Sequence, residues 1–166
     1  GRVGLFNDNI RDSIKGGTFN PYDKGFVSGN RNAASTLRRG IAGSVPHYQI
    51  NDAKEACWAF EPTQAVNYCE AHDNNTLWDK LCISAKNDSE GVRIKMDKLA
   101  AAIVILSQGM PFIQLGQDFL RSKPRILKEG EAPNDVNIYS HDSYNAPDYT
   151  NSIKGNRKLE YKEVFE

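Results

Sequence analysis

The chain has 166 residues, the size of one ordinary domain, and 21 Lys plus Arg against 21 Asp plus Glu leave it no formal net charge. A balanced surface gives no electrostatic case for nucleic acid or an anionic membrane as a partner, and no apolar run reaches the roughly 18–20 residues of a membrane span. Charged residues at 25%, aromatics at 10% and a mean hydropathy of −0.59 describe a chain able to build a core rather than a disordered one.

In chain order, the apolar run over residues 3–6 predicts a short strand buried on both faces, ending in Asn7-Asp8-Asn9. Gly16-Gly17 and Asn20-Pro21 mark a loop. Asn32 stands where a cap would open a helix over residues 33–41, closed by Gly40 and Gly43. Residues 65–71 read as a second strand that runs into the polar cluster His72-Asp73-Asn74-Asn75-Thr76, and residues 77–83 as a short helix. The clearest periodicity lies over residues 92–107. Val92, Met96, Leu99, Ile103 and Leu106 share one helical face, widened by Ala100 and Val104, while Arg93, Lys95, Asp97 and Lys98 take the other. Gly109 and Pro111 end that helix, and residues 112–115 restart as a third strand. Residues 121–151 form a long polar segment rich in Pro, Asn and Asp, and a last helix is expected from Arg157. Repeated strand-then-helix order predicts an α/β fold with a parallel sheet, whose ligands bind at the carboxyl ends of the strands.

His72 and Asp73 fall at such an end. A carboxylate there can stabilise positive charge developing on a substrate, and an imidazole can bond to substrate hydroxyls; the competing role for Asp73 is simply to cap the following helix. Trp58 and Trp78 are candidate sugar platforms, although a Trp is more often a core or rim residue. Cys57, Cys69 and Cys82 are odd in number and widely spaced, which argues against a disulfide framework, and with three histidines no zinc spacing arises. There is no phosphate-binding Gly loop, nucleophile elbow or His-Glu-x-x-His, so no nucleotide or metal cofactor is expected.

The run Val66-Asn67-Tyr68-Cys69-Glu70-Ala71-His72-Asp73-Asn74-Asn75-Thr76-Leu77-Trp78-Asp79-Lys80-Leu81 resembles the seventh-strand motif of type I pullulanases, α-1,6-glucan debranching enzymes of the α-amylase superfamily, glycoside hydrolase family 13. Gly4-Leu5-Phe6-Asn7-Asp8-Asn9-Ile10-Arg11-Asp12 is similar to the sixth strand and its turn. The stretch Gly109-Met110-Pro111-Phe112-Ile113-Gln114-Leu115-Gly116-Gln117-Asp118-Phe119-Leu120-Arg121-Ser122-Lys123 resembles the eighth. Ser143-Tyr144-Asn145-Ala146-Pro147-Asp148 matches a loop of the same family. Asp118 stands where many members have Glu, Cys69 where Val is common, and Ile153-Lys154-Gly155 where an Ile-Asp-Trp-like run is usual.

The resemblance implies a partial (β/α)8 TIM barrel: strands six to eight with their helices and loops, over residues 1–166, against the roughly 250 residues of a whole barrel. It implies an α-glucan partner (pullulan or branched maltooligosaccharides), neither nucleic acid nor membrane, and hydrolysis of α-1,6 linkages by a retaining mechanism in the parent enzyme. Asp73 is then the transition-state stabiliser, and His72, Asn74, Asp142, Tyr144 and Asn145 are substrate-binding residues. The nucleophile and the acid/base belong to the fourth and fifth strands, outside this chain, so the excised chain is expected to be inactive, poorly soluble or self-associating. An isoamylase-type or α-amylase-type enzyme, or a non-catalytic glucan-binding module, are the alternatives. Calcium in the parent is left open. Unpaired thiols lean toward a cytoplasmic setting, with secretion left open because any leader would lie upstream.

Overall fold

Three short strands, β1 (Leu5–Phe6), β2 (Ala65–Asn67) and β3 (Met110–Pro111), form a parallel sheet in chain order. The computed structural model describes residues 3–50, 56–125, 127–141, 151–153 and 157–159. Leu5 faces Ala65 and Phe6 faces Val66 across one pair; Val66 faces Met110 and Asn67 faces Pro111 across the other. All three carboxyl ends therefore open on one side of the molecule. Side chains take over where the ladder stops: the buried Asn7 amide donates to Asn67 Oδ1 (3.0 Å), and Asn67 donates in turn to the Gln108 carbonyl (2.8 Å). The strands are shorter than predicted for this reason. Tyr68 leaves the sheet after Asn67, so the predicted third strand over residues 112–115 keeps only the bond from the Phe112 N–H to the Asn67 carbonyl and has no further neighbour to pair with.

The helices are α1 (Asp8–Lys15), α2 (Ala34–Ile41), α3 (Leu77–Ser84) and α4 (Glu90–Leu106). The first was not foreseen from the sequence, although its signals are present: Asn7 accepts from the Ile10 N–H, Asp8 lies in the first turn, Ile10 and Ile14 repeat at i,i+4, and Gly16 ends it at φ 93°. Asn32 does not cap the second helix. Asn30 instead caps a 3₁₀ turn, Arg31–Ala33, that runs directly into α2. The third helix opens with the Thr76 hydroxyl accepting from the Asp79 N–H at 3.1 Å, so Asp73 is not its cap.

Ile10, Ile14, Leu37, Cys69, Leu77, Leu81, Ala100 and Val104 make the core beneath the sheet. Gly40 lets α2 approach α1 closely, for a Cβ there would lie 2.7 Å from Ile10 Cβ. The inward face of α4 is not the one with the largest aliphatics. Asp97, Ala100 and Val104 are buried, with Met96 and Ile103 packed beside them, while Leu99 and Leu106 face outward. The strand predicted to be buried on both faces is also open: Leu5 is 59% and Phe6 53% exposed, as is much of Met110 and Leu115. These are edge strands, and among the described residues it is the Tyr68 and Phe112 rings that stand edge-on to Phe6, at 5.0 and 5.4 Å.

Among its described residues the polar segment after residue 121 holds no helix or strand up to residue 141, with a β-bridge between Pro124 and Tyr139. Where a helix is predicted to begin, β5 (Arg157–Leu159) instead pairs antiparallel with β4 (Asn151–Ile153); the rest of that prediction lies outside the described residues. Three residues containing Gly155 separate the two runs, the length and composition of a hairpin connection. Among the described residues no helix is long and apolar enough to cross a membrane.

Candidate functional site

The loop that follows β2 carries the candidate site. His72 and Asp73 are both well exposed, with His72 Nε2 3.6 Å from Asp73 Oδ1. Asn74 holds a left-handed φ of 62°, a conformation that Asn tolerates better than most residues. The predicted trio His72, Asp73 and Asn74 is thus brought together at the carboxyl end of the central strand. Asp142, Tyr144 and Asn145 lie outside the described residues. Asp118 is exposed in the turn Gln117–Phe119, and Cys69 is buried beneath the Gln117 amide, which lies 3.2 Å from its sulfur. Trp78 is buried with the Arg93 guanidinium 5.8 Å over its ring, which rules it out as a platform, and Trp58 is half-buried.

A small cavity of about 80 Å³ opens beside Asp73, walled by Arg11, Lys15 and Thr18 from α1 and its following turn and by Tyr68, Ala71 and Asn74 from the β2 loop. Arg11 grips Asp12 through two nitrogens (2.6 and 3.1 Å) and donates to Asp8 (3.0 Å) and to the Tyr68 hydroxyl (2.7 Å). Tyr68 passes its own proton toward Asp8. Burial works against the Arg11 charge, but the Asp12 carboxylate more than offsets it and holds the guanidinium protonated. Burial and the Asp8 contact push Tyr68 up to about 12, so it stays a hydroxyl donor. Burial lowers the Lys15 ammonium. The result is a fixed, partly cationic wall next to a solvent-facing carboxylate, around a cavity too small for more than a water or a single polar group. Arg11, Lys15 and Tyr68 were missed from the sequence because α1 was missed: without that helix, nothing places residues 11 and 15 on one face.

Behind the loop, two stretches distant in sequence interlock. Asp79, fully buried in α3, accepts from the Ser122 hydroxyl and from the Lys123 N–H (2.8 Å), and burial pushes it up to about 6. The Lys80 ammonium donates to the carbonyls of Gly17 (2.9 Å) and Asn20, tying the loop after α1 to α3. Buried Glu70 accepts from the Leu77 N–H.

Burial pushes Glu70 from its ordinary 4.5 up to about 7, against the pull of the Leu77 N–H, Arg121 and Lys15. Since the folded value is the higher one, its contribution to stability is full below about 4.5 and is lost as pH rises through about 7. Glu70→Gln keeps an oxygen for the Leu77 N–H and removes the titration. The Tm of this variant relative to the parent is expected to climb between those two pH values, by the equivalent of on the order of 3 kcal/mol. A Tm difference that stays flat across the window would show that Glu70 does not titrate there.

Among the described residues no group of three or more His, Cys, Asp or Glu is placed to hold a metal ion.

No family model matches the chain. The pullulanase of Bacillus subtilis (strain 168) is 35% identical over 161 residues, which is 97% of this chain and 20% of that protein. Among solved structures, the pullulanase of Paenibacillus barengoltzii in complex with maltotetraose superimposes with a TM-score of 0.68 at 43% identity, over 73% of this chain and 18% of that one. Type I pullulanase of Bacillus subtilis complexed with maltose gives 0.67 at 40%, over 73% of this chain and 16% of the other. The chain spans no more than about a fifth of the length of these relatives. With three parallel strands and their helices aligning to part of those structures, this chain is a homologue of a segment of pullulanases, type I enzymes among them.

Proposed function

We propose that the chain is the carboxyl-terminal part of a (β/α)8 barrel, strands six to eight, in an enzyme that hydrolyses α-1,6-glucosidic linkages of pullulan and branched α-glucans with retention. The single observation that carries the reading is the exposed carboxylate of Asp73, at the carboxyl end of the middle strand of a sheet homologous to pullulanases. The open faces of β1 and β3 support the partial-barrel reading, because Leu5, Phe6, Met110 and Leu115 are apolar residues that a neighbouring strand and inner layer would cover.

In this reading the positive charge of an oxocarbenium-like transition state develops at the sugar carbon next to the cleaved bond, and Asp73 stabilises it without forming a bond to it. His72 and Asn74 bond to hydroxyls of the same sugar, and Arg11 and Tyr68 fix the wall against which it rests. The family resemblance assigns substrate binding to Asp142, Tyr144 and Asn145 as well. The nucleophile and the acid/base, about 5–5.5 Å apart in retaining enzymes, come from strands four and five of the complete protein.

Substrate choice tests the reading. The full-length protein should release maltotriose from pullulan and leave linear amylose essentially uncut. Cleavage of amylose with pullulan untouched would move the assignment to an α-amylase-type activity, and binding without cleavage of either would make it a glucan-binding module.

A further inference from the structure

We propose that Lys123 is the positioning residue for Asp73, acting by fixing the backbone of the His72–Asn74 loop; this rests on the reading of Asp73 as the transition-state stabiliser. The Asp73 side chain is 60% exposed and, among the described residues, its ion-pair contact is with His72 at 3.6 Å, so the carboxylate points largely where its backbone puts it. That backbone belongs to no helix or strand, and Asn74 holds a left-handed φ. It is held at two points, one on each side of Asp73. On the amino side the Lys123 ammonium donates to the His72 carbonyl at 2.8 Å. On the carboxyl side the Asn74 N–H donates to the His141 carbonyl at 2.8 Å.

Both holds run through Lys123. Its N–H donates to Asp79 Oδ2, which anchors it to α3, and its carbonyl accepts from the Ser140 N–H at 2.8 Å, which places His141. Lys123 is 3% exposed, so these bonds compete little with water. The charges that act on its ammonium are Arg121 from its own turn, Asp79 from α3, and Asp73 and Glu70 from the β2 loop. A long, flexible stem ending in a point charge reaches a carbonyl that, among the described residues, receives no backbone N–H, and Asp79 and Asp73 both act in favour of its charge. A catalytic group displaced by about 1 Å can cost on the order of 100-fold in rate, which gives this tether its leverage.

The test uses the full-length protein and pullulan. Lys123→Met is expected to lower kcat by roughly 10- to 100-fold with KM within about threefold, and to speed hydrogen exchange at the Asn74 amide while α1 and α4 exchange as before. Lys123→Arg, which keeps a donor of similar reach, should recover most of the lost kcat. Lys123→Gln, neutral and shorter, is a second variant with the same expected loss should the Met variant fail to fold. On an Asp73→Asn background, Lys123→Met should cost less than about twofold further, since the group it positions is already neutralised. Unchanged kcat and unchanged Asn74 exchange in the folded Met or Gln variant would overturn the proposal, as would a full additional loss on the Asp73→Asn background. Full turnover by Asp73→Asn itself would instead overturn the reading of Asp73 on which the proposal rests.

Discussion

Replacing Asp73 by Asn in the full-length protein is expected to lower kcat on pullulan by at least about 100-fold, equivalent to about 2.7 kcal/mol of transition-state stabilisation. The substitution conserves shape and hydrogen-bonding reach and removes only the charge. Ground-state sugar is neutral and can bond to an amide almost as well as to a carboxylate, so KM should move by no more than a few fold. The positive charge arises only on the way to the transition state, and there an amide is a poor substitute. The side chain is mostly exposed and supports no element, so Tm should stay within about 1–2 °C of the parent. A collapse of kcat at constant Tm identifies a catalytic role. Retained turnover would remove Asp73 from the chemistry, and an equal loss of Tm and activity would reduce it to a structural residue.

The largest stability effect is expected at Asp79. Asp79→Ala removes the acceptor of the Ser122 hydroxyl and of the Lys123 N–H in a fully buried place. It also removes one of the two buried carboxylates, the other being Glu70, that attract both Lys123 and Arg121. Deleting one partner of a buried charged network typically costs about 3–5 kcal/mol, so a loss of that order is expected in denaturant or thermal unfolding. Asp79→Asn is the informative comparison. Its amide oxygen can still accept from the Lys123 N–H, and the Ser122 hydroxyl can turn to accept from the amide nitrogen, so the cost should fall to about 1–2 kcal/mol. Equal losses for Ala and Asn would place the energy in the charge; no loss for either would show that the turn at residues 121–123 is held by other contacts.

Much of the order of elements was legible in the residues. The strand positions of β2 and the span of α4 follow from apolar runs, and α3 was placed to within a residue of its end, because such local signals survive folding. What was lost is instructive. The α1 helix is hidden because Asn7-Asp8-Asn9 is a turn-like triplet that proves to be a cap, Asn7, followed by the start of the first turn. In α4 the predicted inward face holds at Met96, Ala100, Ile103 and Val104 but not at Leu99 and Leu106, and Asp97, expected on the polar side, is buried. Small residues let the helix lie close against its neighbours, and Leu99 and Leu106 are left on a surface that the described residues do not cover. The Arg157 segment became a strand because hairpin pairing outweighed a weak helical pattern.

The sequence by itself set the candidate residues side by side and pointed to the family: a His-Asp-Asn run after an apolar strand stands in an ordered set of blocks resembling pullulanases, a resemblance that homology to them bears out. Adjacency along the chain was enough for that, since His72, Asp73 and Asn74 are neighbours in any fold. Tertiary structure decided everything that joins distant residues. It set Arg11, Lys15 and Tyr68 around a cavity at Asp73, locked Asp79 to Ser122 and Lys123 across 43 and 44 positions, and hung the His72 carbonyl on Lys123 across 51. The physical reason is that a buried polar group must find its partner wherever the packing places one, and a one-dimensional pattern records the need for a partner without recording which residue meets it.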